Sequence, residues 1–366
     1  MENENIRVIH VITTIERGGA ENAVLALARE QVKNGYQVVV VPLKGELELE
    51  REFIEAGVTL DLLLHSRQFA EQVMMFRRQY NEDFLFHGHL PRSELLLRFS
   101  KSKSCFFVTR HNAEAFFPKS PRLISRILSR FVTNKSESVI AISKAVLHFL
   151  LETKEISTRT SSLVIHYGYL PRCMTTAVKK LYSPSNGGTL RIGTISRLTP
   201  QKHLVLLIRL GEILRDLKVK FLIQIVGVGP EKSLLETKVK EIGLENEILF
   251  LGKKTDIMPF LQDQDVFVLT SNYEGFGLVL LEAMDAKLPI IAALNSAIPE
   301  VLGKSHPGLF VTRDSESLLQ TLLDVLQFSD TYTEIMNTQS VRLDYFSMAK
   351  YFYAHHQLYT QSKMKV

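Results

Sequence analysis

The stretch that most restricts the fold runs from Asp265 to Met284. Its first part, Asp265-Val266-Phe267-Val268-Leu269-Thr270, is a short apolar run of the kind that forms a buried strand. Ser271-Asn272-Tyr273-Glu274-Gly275-Phe276-Gly277 follows, and strong helix formers then run from about Leu278 until Leu288-Pro289 stops them. The order is strand, glycine turn, helix. Gly275 and Gly277 let the main chain approach a ligand, and the free amides of a helix start favour an anion or a polar oxygen. Glu274 lies just ahead of that start and Glu282 just inside the helix, among Leu280, Leu281, Ala283 and Met284. A carboxylate in such company either turns out to water or accepts hydrogen bonds from something brought to it.

The same order recurs along the chain. Residues 6–12 read as a strand, 13–19 as its turn, 20–30 as a helix closed by Gly35, and 36–41 as a second strand. This opening is the usual start of a doubly wound α/β domain. Gly18 and Gly19 lie at the carboxyl end of the first strand, where such sheets bind ligands. They do not form a G-x-G-x-x-G fingerprint, so no dinucleotide cofactor is indicated. Short apolar strands with polar far ends follow near 84–90, 105–112 and 138–147, a pattern that lines a cleft. Residues 1–170 form the first domain, 171–188 have the composition of a linker, and 189–345 repeat the α/β pattern. The aromatic-rich remainder, 346–366, reads as a terminal helix. The fold class is α/β, with two doubly wound Rossmann-like domains.

At 45% hydrophobic and 23% charged residues, the composition is that of a soluble globular chain with room for two cores. No run approaches the roughly 18 apolar residues of a membrane span, and Met1 to Asn5 lack a basic segment before an apolar one. Cys105 and Cys173 have no metal-ligand spacing and read as plain buried thiols of a reducing cytoplasm. Charge is uneven: residues 77–135 carry twelve Lys/Arg against four Asp/Glu, and residues 1–74 carry seven against twelve. Arg122, Arg126 and Arg130 recur every four residues in 121–131, with Leu123, Ile124, Ile127, Leu128 and Phe131 on another face. Such a helix either lies on an anionic bilayer or packs its apolar face inward with a solvated arginine face. Nearby Arg92, Arg98, Lys101 and Lys103 favour the bilayer, and no stacking platform or binding module supports nucleic acid. His87, His89 and His111 invite a metal reading. The His-x-His pair is taken to alternate sides of its strand, and no nearby carboxylate completes a ligand set, so no metal is expected.

Glu274-Gly275-Phe276-Gly277-Leu278 followed by Leu281-Glu282-Ala283-Met284 resembles the E-x7-E signature of the retaining glycosyltransferases of family 4, with the GT-B fold. The resemblance extends from Gly18 to Glu300 and implies two domains facing across a cleft, with the last helix crossing back onto the first. It implies that Gly18 and Gly19, in a loop with Ala20 and Glu21, approach the donor diphosphate, and that Arg197 and Lys202 hold it. It implies that Glu274 and the amides of Gly275, Phe276, Gly277 and Leu278 hold the sugar, and that Glu282 binds the ribose hydroxyls. By the same resemblance Glu274, His111, Arg197 and Lys202 form the catalytic set, with His111 beside the sugar and His89 and Asn112 on the acceptor side. The sequence departs from the family at three places: His203 and Val228 replace a usual glycine and acidic residue, and Ser296-Ala297 replace a glycine pair ahead of Ile298-Pro299-Glu300. Asp263-Gln264-Asp265 mimics a metal-binding D-x-D but sits where capping or turn duty is expected.

The resemblance therefore implies retaining transfer of a sugar from a nucleotide donor, UDP foremost, to a hydroxyl of a glycan or lipid-linked acceptor in cell-envelope polysaccharide synthesis. No cofactor is expected, since the nucleotide-sugar is a substrate. The expected location is cytoplasmic, peripheral on the inner face of the cell membrane. The competing readings are a GT-B nucleotide-sugar epimerase or hydrolase, in which Glu274 and Glu282 could act as an acid and base pair, and a non-catalytic sugar-nucleotide-binding protein.

Overall fold

The structure is a computed structural model, and it describes residues 6–80, 84–100, 106–117, 120–172 and 188–363. Met1 to Asn5, Lys101, Lys103, both cysteines and nearly all of the expected linker lie outside the described residues. The chain divides into two compact units, residues 1–170 with 346–366, and residues 171–345.

The first unit holds a seven-stranded sheet made of β1 (Arg7–Ile12), β2 (Gln37–Pro42), β3 (Thr59–Leu60), β4 (Leu85–His89), β5 (Phe106–Arg110), β6 (Ser138–Ala141) and β7 (Ser162–Val164). Its order is β3-β2-β1-β4-β5-β6-β7 and its pairings are parallel. The near-continuous burial of β1, β4 and β5 is what a parallel sheet covered on both faces requires. Residues 346–366 return to this unit. Tyr169 N donates to Phe346 O at 2.7 Å, and Phe352 and Tyr359 of the helix Met348–Lys363 join the core formed by Val8, Leu25, Ala28 and Val38. That helix lies so near the chain at Gly168 that a Cβ there would sit 2.6 Å from Tyr351 Cβ.

The second unit holds β8 (Leu190–Ile195), β9 (Phe221–Val226), β10 (Ile248–Gly252), β11 (Val266–Leu269), β12 (Ile290–Ala293) and β13 (Leu309–Phe310). Its order is β10-β9-β8-β11-β12-β13, again with parallel pairings. Strand order reverses between β1 and β4 in one sheet and between β8 and β11 in the other. In doubly wound sheets these are the points where crossover helices leave a crevice at the carboxyl ends of the strands. The loops after β8 and β11 are the two that carry Lys202 and Glu274.

Among the described residues no helix is long and apolar enough to cross a membrane. One helix corrects the inward-packing reading. Arg122–Thr133 buries Ser125, Ser129, Val132 and Thr133 and leaves Leu123 (57%), Ile124 (49%) and Ile127 (57%) exposed. The serines face inward because they have work there: Phe117 N donates to Ser125 Oγ, and Arg110 Nη2 donates to Ser129 Oγ, which itself donates to Glu155 O.

Candidate active site

In the second unit, residues 196–204 and 270–277 are laced together. Thr270 Oγ1 donates to Lys202 O at 2.8 Å, Asn272 N to Gln201 O at 2.7 Å, and Gln201 Nε2 to Tyr273 O at 2.9 Å. These bonds bring Lys202 Nζ to 2.6 Å from Glu274 Oε1, with both side chains nearly buried. Ser271 Oγ donates to the same carboxylate oxygen at 2.7 Å. Ser296 then clamps the backbone of Glu274 from both sides, its Oγ accepting from Glu274 N at 2.7 Å and donating to Glu274 O at 3.0 Å. Ser296 adopts a left-handed backbone (φ 46°), the conformation a glycine takes without strain. The departure from the glycine pair thus exchanges backbone freedom for a grip on Glu274. Gly277, also left-handed at φ 89°, turns the chain into the helix Leu278–Asp285.

Arg197 follows β8 on the same loop and is exposed, with no ion-pair partner for its guanidinium among the described residues. His203, which stands in place of the usual glycine, closes the short turn Pro200–Lys202 in the left-handed region (φ 49°), so it holds the shape a glycine would give. Glu282 on the helix Leu278–Asp285 is only partly accessible, and burial pushes its carboxyl up to about 7 against a smaller opposing pull from Arg172. It is not turned into bulk water.

Gly227 and Gly229 serve loop packing. A Cβ on Gly227 (φ 140°) would lie 1.9 Å from Ser196 O, and one on Gly229 would lie 2.3 Å from Leu198 O. These glycines let the loop after β9 lie flat on the loop that bears Arg197. Val228 between them is exposed at 50%. Asp263 and Asp265 join β8 to the entry of β11, with Arg191 Nη1 donating to Asp263 Oδ2 and Arg191 N to Asp265 Oδ2, each at 2.8 Å. That is the opposite strand end from Glu274, and the pair has the turn duty expected of it.

In the first unit, Gly18 is the residue before the helix Gly19–Lys33. Thr14 Oγ1 donates to Glu21 Oε1 at 2.9 Å across that loop. His87 and His89 lie on the same side of β4, their ring centroids 4.2 Å apart. The expectation that they alternate sides was wrong, because residues two apart on a strand share a face. His10, His87 and His89 bring a ring nitrogen each within 4.8 Å of one another. Each of their ring nitrogens is already hydrogen bonded, so a cation would have to displace those bonds. Burial depresses His10 to about 4 and His111 to about 3, and holds His87 and His89 well below the usual imidazole range. His89, expected near an acceptor, is 1% exposed and touches His10 and His111 instead. Asn112 is exposed and donates to Glu114 Oε2 at 3.0 Å.

Beside His111 and Asn112 lies a cavity of about 100 Å³, lined also by Glu94, Arg110 and Phe116. Arg110 stands 3.0 Å from Glu94 Oε2 and 3.5 Å from Glu155 Oε2, all buried. Burial pushes Glu94 up to about 7, more than Arg110 pulls it down. Sequence reading missed this ion cluster and the serine clamp, since both rest on partners distant in sequence.

Two family profiles match the chain, "Glycosyltransferase Family 4" over residues 17–164 and "Glycosyl transferases group 1" over residues 181–338. An N-acetyl-alpha-D-glucosaminyl L-malate synthase of Bacillus anthracis is 32% identical over 188 residues, 50% of this chain and 48% of the relative. The chain thus spans about half the length of that relative. EpsF of Bacillus subtilis, whose assignment as a glycosyltransferase is itself provisional, is 24% identical over 87% of this chain and 85% of its own. Among solved structures, Anabaena HepE in complex with UDP and glucose matches with a TM-score of 0.80 at 17% identity, covering 98% of this chain and 100% of HepE. The two profiles fall on the two α/β units in turn, and the chain belongs to glycosyltransferase family 4, with the GT-B fold.

Proposed function

We propose that the protein is a glycosyltransferase that moves a sugar from a nucleotide donor, UDP foremost, to a hydroxyl of a glycan or lipid-linked acceptor in cell-envelope polysaccharide synthesis, with retention of anomeric configuration. The observation that carries the reading is the Lys202–Glu274 pair, seated at the switch point of the second sheet and clamped by Ser271 and Ser296. A carboxylate held rigidly beside a cation suits a phosphorylated sugar, because one group takes hydroxyls and the other takes phosphate oxygens.

In this reading Glu282 takes the ribose hydroxyls, and Arg197 and Lys202 take the diphosphate. Glu274 and the amides from Gly275 to Leu278 hold the sugar. Negative charge gathers on the diphosphate as the glycosidic bond breaks, and a cation at about 4 Å is worth on the order of 4 kcal/mol at an effective dielectric of about 20. Acting only in the transition state, that would supply about three decades of rate. The N-acetyl-alpha-D-glucosaminyl L-malate synthase among the relatives, and the UDP and glucose in complex with HepE, support a UDP-sugar donor. The exposed Leu123, Ile124 and Ile127 between Arg122, Arg126 and Arg130 support a membrane-facing first unit and hence a lipid-linked acceptor.

The test is incubation with a panel of UDP-sugars, with and without glycan and lipid-linked acceptors, following UDP release and the anomeric configuration of the product by NMR. Acceptor-dependent release with an α-linked product from an α-linked donor is expected. Solvent exchange at sugar C2 without acceptor would instead indicate epimerisation. Release regardless of acceptor would indicate hydrolysis.

A further inference from the structure

One line of buried side chains in the first unit crosses three adjacent strands. Gln31 Oε1 lies 2.8 Å from His10 Nε2, His10 Nδ1 lies 2.9 Å from His89 Nε2, His89 Nδ1 lies 3.1 Å from His111 Nε2, and His111 Nδ1 lies 2.5 Å from the Tyr167 hydroxyl. Gln31 and His10 are fully buried, and His89 and Tyr167 nearly so. β1, β4 and β5 bring them together through a register in which Ile12 pairs with His89 and His89 with Thr109.

The proton order follows from this chain of contacts, because a neutral imidazole has one donor and one acceptor. Burial holds His10, His89 and His111 well below the usual imidazole range, so each is neutral near pH 7. With the Gln31 amide assigned so that its carbonyl faces His10 Nε2, that carbonyl can only accept, so the proton on His10 is at Nε2. His10 Nδ1 must then accept from His89 Nε2–H, and His89 Nδ1 from His111 Nε2–H. His111 Nδ1 is left as an acceptor, and the Tyr167 O–H donates to it. Every bond in the line is satisfied without a charge.

We infer that Gln31, acting through His10 and His89, locks His111 in its Nε2–H form and so makes His111 Nδ1 a hydrogen-bond acceptor reserved for a hydroxyl. Tyr167 fills that place, and a ligand hydroxyl takes it when the phenol withdraws. The lock selects for a hydroxyl: an ether or carbonyl oxygen set there would meet a lone pair. Gln31, His10 and His89 are positioning residues in this scheme. The hydroxyl's origin, transferred sugar or acceptor, rests on the proposed function; the lock itself does not.

The experiment is long-range proton–nitrogen NMR on the full chain labelled with ¹⁵N-histidine, assigned with His111→Asn, in wild type and Gln31→Met. Wild-type His111 is expected to show an unprotonated Nδ1 and a protonated Nε2 near pH 7. Gln31→Met conserves volume but removes the acceptor, and is expected to move His111 towards the Nδ1–H form, with His306 of the second unit unchanged as an internal control. A wild-type His111 protonated at Nδ1, or a His111 tautomer unmoved in a folded Gln31→Met, overturns the inference. Kinetics separates the two layers. If the tautomer shifts, a rise in KM for sugar donor or acceptor with unchanged UDP affinity supports His111 as a ligand contact. If the tautomer shifts and transfer does not change, the lock stands and the ligand role of His111 fails.

Discussion

Glu282 shows how a single carboxyl ties stability to ligand binding. Its folded form keeps its proton up to about pH 7 against an ordinary value of 4.5. The folded state therefore binds more protons than the unfolded one over that range, and ligand-free stability should fall as pH rises from about 4.5 through about 7. Ribose hydroxyls donate to the ionised form, so nucleotide affinity should rise with pH across the upper half of the same window. Binding near pH 7 should release a fraction of a proton, read as a buffer-dependent enthalpy. Glu282→Gln should flatten both trends, and an unchanged pH profile in that variant would remove Glu282 from the site. Ser296 can be probed in the same way. Ser296→Ala removes both bonds to the Glu274 backbone, and at about 1 kcal/mol per bond it should lower kcat/KM several-fold to about thirty-fold with the fold intact. Its contribution was hidden in the sequence, where Ser296 stands out only as a missing glycine. The positions of Lys202 and Glu274 were legible, since both lie in loops directly after apolar strands.

At the scale of elements, the glycines after β9 bear on how the Arg197 loop is held. Gly227→Ala would drive a Cβ into Ser196 O at 1.9 Å in a backbone region closed to alanine. A loss of about 2–4 kcal/mol, read as a shift in the urea midpoint, is expected from the combined strain and clash. A ligand-contact role alone would leave stability unchanged. The helix Arg122–Thr133 gives the second case. Its arginine spacing was legible, but its orientation was not, because an apolar stripe is ordinarily read as the inward face. Here the buried Arg110–Glu155 pair draws Ser129 in and the Phe117 amide draws in Ser125, and the leucine and isoleucines remain outside. Co-flotation with vesicles rich in phosphatidylglycerol is therefore expected. It should be lost with Leu123→Asp and Ile127→Asp together and weakened by salt. Equal flotation of that double variant would take the membrane role from this helix.

Across the whole molecule, the chain leaves the first unit at Leu170, builds the second, and returns at Phe346. The first unit's core thus includes residues that follow the second unit in the sequence. Tyr359, fully buried against His87 and Phe107, is expected to cost about 3–5 kcal/mol on change to alanine, seen as early melting of the first unit. The two α/β halves were legible from alternating strand and helix patterns. The histidine line was not, because it depends on strand register across β1, β4 and β5, which local sequence does not encode. The central claim is that the loop after β8 in the second unit grips a nucleoside diphosphate, and Arg197 tests it most cleanly because it is exposed and removable without disturbing the core. Calorimetric titration of UDP into wild type and Arg197→Ala should show binding in the first. In the second it should be weaker by about 10- to 100-fold, the worth of a charge-assisted hydrogen bond. Equal affinity in the two proteins, or no heat from wild type with any nucleoside diphosphate, would contradict it.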